Sequence, residues 1–453
     1  MLFSFDELKA SFTNYKGIEQ GEGVWSVSTD SREKKPNSLF IPIVGERFNG
    51  HDFLEDAIAQ GAVATLWDRR YKVPVELQEK CLFFYVDDTL TALHRLAKDY
   101  RNRVNPIVIG ITGSNGKTTT KDFVASALKA TYRTHKTAGN FNNEIGLPLT
   151  ILSMPRDTEV LVLEMGMSNF GEINRLSQIA RPDYAIITNI GESHIEFLGS
   201  RDGIAKAKLE IVNGMGPEGR LLIDGDEELL RSHSFPQDII ALSFQKEGQG
   251  IRKISNVQVS LEETRFVYGE RSYTIPLTGA HHAKNAAYAI EVARLLRVDE
   301  EEIRQGLKDS ETTGMRFEQL RSPSGAVIIN DAYNASVTSM IGAIQIIKQI
   351  EGFDRRILVL GDVLELGKYS KDFHRQIGKA IDTPIDYLFT YGEQARQILE
   401  GLSKASSIHS EHFTNRDALV ERLAPLMEEG TIALFKASRG MAFETLIEAL
   451  VTE

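Results

Sequence analysis

The chain has almost no cysteine and few residues that interrupt regular structure. Its one cysteine, Cys81, excludes a disulfide framework and a paired-cysteine metal site. The apolar stretch "CLFFYV" that begins with this cysteine favours a buried thiol over a reactive one. With only 36 Gly and 13 Pro among 453 residues, long disordered segments are not expected. The composition therefore predicts a folded chain that is stabilised without disulfides.

Long apolar runs are also missing, and basic residues are not in excess. No stretch reaches the roughly 18 consecutive apolar residues that a transmembrane helix needs. The start "MLFSFDELKA" lacks the basic and apolar regions of a signal peptide. Acidic residues outnumber basic ones by 63 to 52, which gives no indication of a nucleic-acid surface. We expect a cytoplasmic enzyme that neither inserts into membranes nor binds nucleic acid, and that holds anionic ligands with local cations and helix N-termini.

Apolar segments divide the chain into three blocks. The first, residues 1–104, has short strands and an amphipathic helix, "LTALHRLAKDYRNRV", that is followed by an Asn-Pro pair. The second, residues 105–312, and the third, residues 313–453, alternate continuous apolar strands with helices, which is typical of mainly parallel sheets covered on both faces. We therefore predict an α/β protein of three domains: a small N-terminal one, a central one with a mainly parallel sheet, and a C-terminal Rossmann-like one. The absence of heptads and of long apolar surface stretches favours a monomer.

The stretch "IGITGSNGKTTTKDF", residues 109–123, combines an apolar strand, a glycine-rich turn and the start of a helix. The glycines allow close backbone approach, and the free N–H groups of the helix favour an anion. The lysine would reach the β- and γ-phosphates of a nucleotide, and the first threonine would bind Mg²⁺. The strict pattern has a glycine where this chain has Ile111, so the loop is a variant. The predicted phosphate-binding residues are Gly113, Ser114, Asn115, Gly116, Lys117, Thr118 and Thr119.

Polar residues that follow later strands of the same block are candidates for metal binding. Glu164 ends the apolar strand in "EVLVLEMG", where a carboxylate is costly unless it is used. His194 follows the strand in "YAIITNIGESHIE", where a structural hydrogen-bonding role and a ligand role are about equally expected. The helical stretch "GIAKAKLEI" carries Lys206 and Lys208, which by themselves indicate a solvated helix face.

A series of short motifs carries a resemblance that covers all three blocks. They are "TGSNGKTTTK", "NFNNEIGLPLT", "EMGMSNFGEI", "TNIGESHIEFLGS", "KAKLEI", "GAHHAKNA", "MRFE", "DAYNAS", "LGDVLELG" and "KASRG", in that order. Together they resemble the Mur ligases of peptidoglycan synthesis. The stretch "TDSREKKPNSLFIPIVGERFNGHDF" in the first block resembles the uridine-nucleotide domain of that family.

The resemblance implies a reaction and its cofactors. ATP would phosphorylate the terminal carboxylate of a UDP-linked peptide, and an amine would then displace phosphate to form an amide. The motifs "NFNNEIGLPLT", "DAYNAS" and "LGDVLELG" point to the family member that adds D-alanyl-D-alanine to UDP-N-acetylmuramoyl-tripeptide, with Mg²⁺ as the metal.

The same resemblance assigns roles to the polar residues of the central block. Glu164 and His194 would bind Mg²⁺ together with Thr118. Lys208 matches a family lysine that is often carbamylated, which would turn a cation into a metal-binding group; Lys206 is its neighbour without a role. We expect the catalytic residues to be Lys117, Glu164, His194 and Lys208.

Further positions match family contacts with the nucleotide. Asn285 matches the asparagine of the adenine-contacting helix, whereas His282 stands where the family commonly has Asn. Arg316 resembles an arginine that reaches the phosphates from the third domain. Asp331, at a strand end, resembles an acid that contacts the ribose of ATP.

The substrate side is predicted from loops. Ser31 and Arg32 match uridine-diphosphate contacts, while Asn49 and His51 equally suit a plain turn before a helix. A polar loop in the central block would face the muramoyl-peptide, and two segments of the third block would grip the dipeptide. After the intact core of "DAYNAS", Val337 and Thr338 stand where relatives usually have Pro and an acidic or other polar residue, which leaves the following turn in question. The loop residues are Thr137, Asn140, Asn142, Asn143 and Glu144, and those of the third block are Asn334, Ala335, Lys436, Ser438 and Arg439.

Other functions are compatible with parts of this pattern. A family ligase that adds the third amino acid should carry a "DYAH"-like run instead of "DAYNAS", and folylpolyglutamate synthase should lack the first domain. From a different class, a nucleotide-dependent regulatory binding protein is the alternative. A GTPase switch would need an Asn-Lys-x-Asp run, and no "NK" occurs in the chain.

Overall fold

The computed structural model describes residues 1–233, 237–311, 314–403, 405 and 407–451. Over these residues the chain folds into three α/β units, each with its own main sheet. The predicted fold class is confirmed by this architecture and by related structures that are described below. The predicted domain limits stay predictions, and the one between residues 312 and 313 lies outside the described residues. None of the described helices is long and apolar enough to cross a lipid bilayer.

The first unit is a small sheet of short strands covered by helices. Its sheet has the order β2-β7-β6-β5-β4, in which only β2 is antiparallel to its neighbour, and β1 pairs separately with β3. The thiol of Cys81 is buried in it as predicted, and burial raises its pKa to about 12. Its elements are β1 (Phe3–Ser4), α1 (Phe5–Ser11), β2 (Tyr15–Gly17), β3 (Gly23–Val24), β4 (Ser26–Ser28), β5 (Ser38–Phe40), α2 (Leu54–Ala59), β6 (Ala62–Asp68), β7 (Leu82–Val86) and α3 (Thr89–Val104).

Local signals set both ends of α3, which leads into the central unit. The carboxylate of Asp88 accepts a hydrogen bond from the N–H of Thr91 at 2.6 Å and caps the first turn. Asn105 takes a left-handed conformation with φ of 52°, and Pro106 cannot continue a helix. The Asn-Pro pair therefore ends the helix, as the sequence indicates.

The central unit contains a nine-stranded sheet with helices on both faces. Strands β8 to β14 run parallel, and an antiparallel hairpin of β15 and β16 extends one edge. Its elements are β8 (Ile107–Thr112), α4 (Lys117–Leu128), β9 (Thr134–Lys136), α5 (Gly146–Ser153), β10 (Val160–Glu164), α6 (Glu172–Ala180), β11 (Tyr184–Ile187), α7 (Ile195–Leu198), α8 (Arg201–Leu209), β12 (Arg220–Asp224), α9 (Glu228–Arg231), β13 (Asp238–Ser243), β14 (Ile251–Val259), β15 (Thr264–Tyr268), β16 (Arg271–Ile275), α10 (Ala280–Leu295) and α11 (Glu300–Lys308).

The strand order of this sheet creates the place where a ligand can bind. Strand β8 lies between β10 and β11. The chain leaves β8 through α4 to β9 on one side, and it leaves β10 through α6 to β11 on the other. Ligands of open α/β sheets bind in the crevice at such a point. The residues of β10, Val160–Glu164, are all buried, which explains its continuous apolar sequence.

The third unit is a six-stranded sheet of the doubly wound type, with the order β17-β18-β22-β19-β20-β21. All neighbours are parallel except β17 and β18, which form a hairpin at one edge. Its elements are β17 (Glu318–Arg321), β18 (Val327–Asn330), α12 (Val337–Gln349), β19 (Arg355–Gly361), α13 (Ser370–Lys379), β20 (Tyr387–Tyr391), α14 (Arg396–Gly401), β21 (His409–Phe413), α15 (Arg416–Leu423), β22 (Thr431–Lys436) and α16 (Glu444–Val451).

A buried carboxylate joins the strand ends of the third unit. Asp362, directly after β19, accepts hydrogen bonds from the backbone N–H groups of Glu393, Gln394 and Ala395 at 3.0, 3.0 and 2.7 Å. These N–H groups precede α14 and have no partners within a helix. Asp362 therefore ties the loop after β20 to the end of β19.

Replacing this carboxylate tests that role. Asp362→Ala removes the acceptor of three N–H groups, of which that of Ala395 is buried, and should lower the free energy of unfolding by about 3 kcal/mol. The matched control is Asp372→Ala, because Asp372 is an exposed carboxylate in the first turn of α13 and should cost under about 0.5 kcal/mol. Thermal melting of both variants beside the parent chain measures the difference. Equal melting temperatures would contradict the assigned role.

Candidate active site

The predicted phosphate loop joins β8 to α4 and has two glycines that no other residue could replace. Gly113 has φ of +150°, and a Cβ atom there would lie 1.8 Å from Oγ1 of Thr188. Gly116 has φ of +80°, and a Cβ atom would lie 2.8 Å from Oδ1 of Asn285. The positive φ favours glycine at both positions, the collision with Thr188 adds a steric reason at Gly113, and the loop can approach a ligand closely.

Residues just after β11 hold this loop in shape. Asn189 accepts a hydrogen bond from the backbone N–H of Asn115 at 3.0 Å and donates to its carbonyl at 2.9 Å. The hydroxyl of Thr188 donates to the same carbonyl at 2.5 Å, and the N–H of Gly191 donates to Oγ of Ser114 at 2.8 Å. Thr188 and Asn189 were not among the predicted site residues, although a polar "TN" pair directly after an apolar strand was a signal for them.

Lys117 lies at the start of α4, over the loop. Its ammonium group donates to the carbonyl of Gly113 at 3.0 Å. Burial lowers the pKa of Lys117, and Glu164 opposes that change. The helix has no side-chain cap at its N-terminus, which leaves its first N–H groups directed at the cavity. The arrangement suits an anion next to a lysine.

Glu164 is the acidic centre of the site. It is 3% exposed at the end of β10, where its carboxylate accepts hydrogen bonds from the hydroxyl of Thr118 at 2.8 Å and from the side-chain amide of Asn142 at 2.8 Å. Its backbone N–H donates to Oγ1 of Thr137 at 3.0 Å. The hydroxyl and carboxylate oxygens are donors of the kind that Mg²⁺ prefers. The structure thus brings together Thr118 and Glu164, two of the predicted metal-binding residues.

The two lysines of α8 have different surroundings. Lys208 is 2% exposed and faces the cavity, whereas Lys206 is exposed on the outer side of the helix. Burial lowers the pKa of Lys208 well below its usual value, and the charge of Lys117 adds to this effect. Of the two lysines, Lys208 is therefore the one whose position fits a role in the site.

His194, directly before α7, also lines the cavity, but it contacts the third unit. Its Nδ1 lies 2.6 Å from Oε2 of Glu365, and this contact holds the pKa of Glu365 below its usual value. Among the described residues, no group of three or more His, Cys, Asp or Glu side chains is arranged to hold a metal ion. This is compatible with Mg²⁺, which typically takes only one or two carboxylates beside phosphate and water.

The third unit places an arginine in the phosphate site. The guanidinium of Arg316 donates to Oγ1 of Thr118 at 2.9 Å and lies 4.2 Å from the centre of the Tyr333 ring. Its Nε is buried and has no hydrogen-bond partner in the described part of the chain. Met315 and Phe317 on either side have positive φ of 62° and 57°, an uncommon conformation that functional sites retain. The predicted position of Arg316 beside the phosphates is compatible with this geometry.

Asp331 and Lys436 lie side by side because β18 and β22 are parallel neighbours. The ammonium group of Lys436, 3% exposed, donates to Oδ2 of Asp331 at 2.5 Å and to the carbonyl of Asn334 at 3.2 Å. The side chain of Asn334 accepts the N–H of Ala335 at 2.9 Å. Lys436 thus orients Asp331 and the loop after it.

The first turns of α10 complete the nucleotide end of the cavity. Asn285 and His282 are buried, and their side chains lie 3.5 Å apart. Burial lowers the pKa of His282 well below its usual value, so its ring is neutral and can form the hydrogen bond that an Asn would make. Lys284 pairs with Asp224 at 2.6 Å and Asp226 at 2.8 Å. This cluster was not predicted, because the carboxylates lie about 60 residues away in the sequence.

These residues line one cavity of about 640 Å³ between the central and third units. The predicted site residues that line it are Gly113, Ser114, Asn115, Gly116, Lys117, Thr118, Thr119, Asn142, Asn143, Glu164, His194, Lys208, Asn285, Arg316, Asp331, Asn334 and Lys436. The predicted residues that do not line it are Ser31, Arg32, Asn49, His51, Thr137, Asn140, Glu144, Ala335, Ser438 and Arg439.

The predicted residues of the first unit contact one another and their own unit. Arg32 donates to both carboxylate oxygens of Asp30 at 2.8 and 2.6 Å, which lowers the pKa of Asp30 to about 2. His51 is 5% exposed, its Nδ1 lies 2.7 Å from Oδ1 of Asn49, and its Nε2 accepts the N–H of Asp68 at 3.3 Å. The contacts of Asn49 and His51 fit a plain turn before a helix, which was the alternative interpretation of these two residues. The substrate role of the first-unit residues stays a prediction.

The remaining predicted residues also have partners in the structure. Glu144 forms an ion pair with Arg175, and Arg439 pairs with Glu444 at 3.0 Å. The hydroxyl of Ser438 accepts the N–H of Leu364 at 2.9 Å. Their assignment to substrate binding remains a prediction.

Taken together, the fold and the site define a nucleotide-binding enzyme whose active site is shared between two α/β units. Family models match along most of the chain: "Mur ligase family, catalytic domain" at residues 24–101, "Mur ligase middle domain" at 111–293, and "Mur ligase, glutamate ligase domain" at 315–439. The chain belongs to the Mur ligase family, and the predicted family and ligase class are confirmed.

Individual relatives extend over nearly the whole chain. UDP-N-acetylmuramoyl-tripeptide–D-alanyl-D-alanine ligase of Bacillus subtilis (strain 168) is 46% identical over 435 residues, which is 94% of this chain and 93% of that protein. A crystal structure of MurF from Acinetobacter baumannii is 28% identical, with a TM-score of 0.88 over 100% of this chain and 99% of that one. MurF ligase from Thermotoga maritima in complex with ADP is 29% identical, with a TM-score of 0.82 over 94% and 96% of the two chains.

The phosphate loop can be tested by one substitution at the mouth of α4. Lys117→Ala removes the ammonium group beside Gly113 and should lower turnover at least about 100-fold, because a cation in contact with a transferred phosphoryl group is a main source of catalysis. Phosphate release and circular dichroism should show loss of activity with an intact fold.

The same helix supplies a matched control. Lys129 is exposed at the opposite end of α4, so Lys129→Ala should keep the activity of the parent chain. Unchanged turnover in Lys117→Ala would overturn the assignment of the loop.

Proposed function

We propose that the chain joins D-alanyl-D-alanine to UDP-N-acetylmuramoyl-tripeptide, with ATP converted to ADP and phosphate. The observation that carries this function is the convergence of Lys117, Thr118 and Glu164 with Arg316 of the third unit in one cavity. Relatives that match over more than nine-tenths of the chain are named for this ligation. The activity predicted from the motifs is confirmed at this level.

The reaction has two steps that balance in atoms and charge. A carboxylate oxygen of the tripeptide attacks the γ-phosphorus of ATP, the bond to the bridging oxygen breaks, and ADP leaves with that electron pair. The amino nitrogen of D-alanyl-D-alanine then attacks the carbonyl carbon of the acyl phosphate. Phosphate leaves, the nitrogen gives up a proton, and an amide remains. The first step makes the poor electrophile reactive, which direct attack on a carboxylate could not do.

The main obstacle to the first step is the repulsion between two anions. Lys117, the N-terminus of α4 and the guanidinium of Arg316 supply positive charge where the phosphates would lie. Mg²⁺, when bound, would reduce the same repulsion, and the hydroxyl of Thr118 and the carboxylate of Glu164 are the groups that fit it. Support for Mg²⁺ comes from the chemistry of these donors.

Nucleotide and substrate roles follow the layout of the cavity. We assign the adenine end to Asn285 and His282 and the ribose to Asp331. Asn142 and Asn143 face the reacting carboxylate, and the segment around Asn334 faces the dipeptide. The uridine-diphosphate part extends toward the first unit and Arg32. The enzyme acts as a monomer in the cytoplasm, where ATP and nucleotide-linked precursors are available.

Omitting one component at a time tests the proposed reaction. With Mg-ATP, UDP-muramoyl-tripeptide and D-alanyl-D-alanine, the chain should release phosphate, and the UDP-peptide should gain the mass of the dipeptide. Leaving out any component should stop product formation. Release with a UDP-dipeptide and a single amino acid would indicate the ligase that acts one step earlier. Binding of ATP without turnover in any mixture would favour the regulatory protein.

The role of Lys208 can be tested with a matched pair of variants on α8. We propose that Lys208 carries a carbamate, in which its neutral amine has added CO₂ and lost a proton. Lys208→Ala should lose most activity and regain part of it with added formate or acetate, because a small carboxylate can occupy the vacated space. Lys206→Ala should behave like the parent chain, since Lys206 is exposed. Full activity of Lys208→Ala without any additive would exclude the carbamate.

A further inference from the structure

The N-terminus of α12 is completed by a residue of another unit. Within the helix, the hydroxyl of Ser336 accepts the N–H of Ser339 at 3.2 Å. The N–H of Thr338 has no acceptor of this kind within α12, and it donates to Oε2 of Glu192 in the central unit at 3.2 Å. The hydroxyl of Thr338 donates to the same oxygen at 2.7 Å. A carboxylate is favourable at this end of a helix because of its partial positive charge.

Glu192 belongs to the segment that supports the phosphate loop. It lies between Gly191, whose N–H donates to Ser114, and His194, which lines the cavity. Two residues before Thr338, the hydroxyl of Ser336 donates to Oδ1 of Asn115 at 3.0 Å. The start of α12 is therefore hydrogen-bonded to two parts of the central site.

The start of α12 also forms part of the cavity wall. Thr338, Ser339, Gly342 and Ala343 line it, on the side of the third unit. The position of α12 against the central unit therefore sets the width of the cavity between the two units. It also decides whether Arg316, which belongs to the same unit, reaches Thr118.

We propose that Thr338 is a positioning residue that holds the third unit closed over the nucleotide site by donating two hydrogen bonds to Glu192. This inference rests on the proposed function, because the group that it positions for chemistry is Arg316. Thr338 lies at the edge of the cavity, and in this proposal it acts through the placement of the third unit.

Two substitutions at this position separate the hydroxyl from the rest of the side chain. Thr338→Val keeps the shape and the backbone N–H but loses the hydroxyl, and it should lower kcat about three- to fivefold, as expected for one lost hydrogen bond. The KM for ATP should change less than about twofold, because the phosphate loop is untouched. Thr338→Ser keeps the hydroxyl and should restore kcat.

A control and a double variant make the kinetic result specific. Thr131→Val removes a similar hydrogen bond, from Thr131 to Glu302 at 2.6 Å, but within the central unit, and it should not change kcat. Because Thr338 acts through Glu192, the variant Glu192→Ala with Thr338→Val should be no slower than Glu192→Ala alone. Additive losses in the double variant would overturn the inference.

Small-angle scattering provides a readout that does not depend on turnover. With saturating ADP, the radius of gyration of Thr338→Val should exceed that of the parent chain and of Thr131→Val. An equal radius, with or without a change in kcat, would overturn the positioning role. If the parent chain failed to turn over the proposed substrates, the proposed function would fail, and the scattering comparison would still decide the role of Thr338.

Discussion

The active site depends on the buried carboxylate of Glu164, which lies next to the phosphate loop, a segment that favours anions. Glu164 ends a fully buried strand beside the mouth of α4, where a phosphate would add further negative charge. Burial of a carboxylate is costly unless its oxygens are hydrogen-bonded. Thr118 and Asn142 supply those bonds, and the ammonium group of Lys117 provides an opposite charge that interacts with the carboxylate. The loop, the strand and the asparagine are therefore held in one arrangement before any ligand arrives.

The third unit completes this arrangement from the opposite side of the cavity. The hydroxyl of Thr118 accepts a hydrogen bond from Arg316 and donates one to Glu164. One threonine therefore links the carboxylate of the central unit to the guanidinium of the third. The left-handed residues on both sides of Arg316 aim it in a direction that an ordinary strand would not allow. The positive charge needed for phosphoryl transfer therefore comes from both the central and the third unit. Catalysis then requires them to be in contact.

Local patterns in the sequence predicted much of this. The phosphate loop was predictable because its strand, glycines and helix are contiguous, and Glu164 was predictable because a charge at the end of an apolar strand is unusual. The preference for Lys208 over Lys206 came from the family resemblance, and the burial of Lys208 agrees with it. The predicted family, fold class and ligase activity are confirmed.

Contacts that depend on strand order could not be predicted. Thr188 and Asn189 meet the phosphate loop only because β11 pairs with β8, about 75 residues earlier in the chain. The contact of Glu192 with Thr338 spans 146 residues and two units. A polar pair after an apolar strand indicates a candidate site residue, but neither segment alone shows which partner it contacts. The roles of the first-unit residues remain predictions for a similar reason, since Arg32 and His51 are occupied by neighbours within their own unit.

The fit of Gly113 against Thr188 has a consequence for how this protein can change over generations. Replacement of Thr188 by serine would keep the hydroxyl that donates to the loop, so one substitution is tolerated at that position. No such substitution exists for Gly113. A smaller residue in place of Thr188 would remove the collision with a Cβ atom at position 113, but the positive φ of Gly113 would still oppose any side chain there. The dependence between the two positions is therefore one-sided. Substitution is tolerated at Thr188, directly after β11, whereas Gly113 in the loop cannot be replaced.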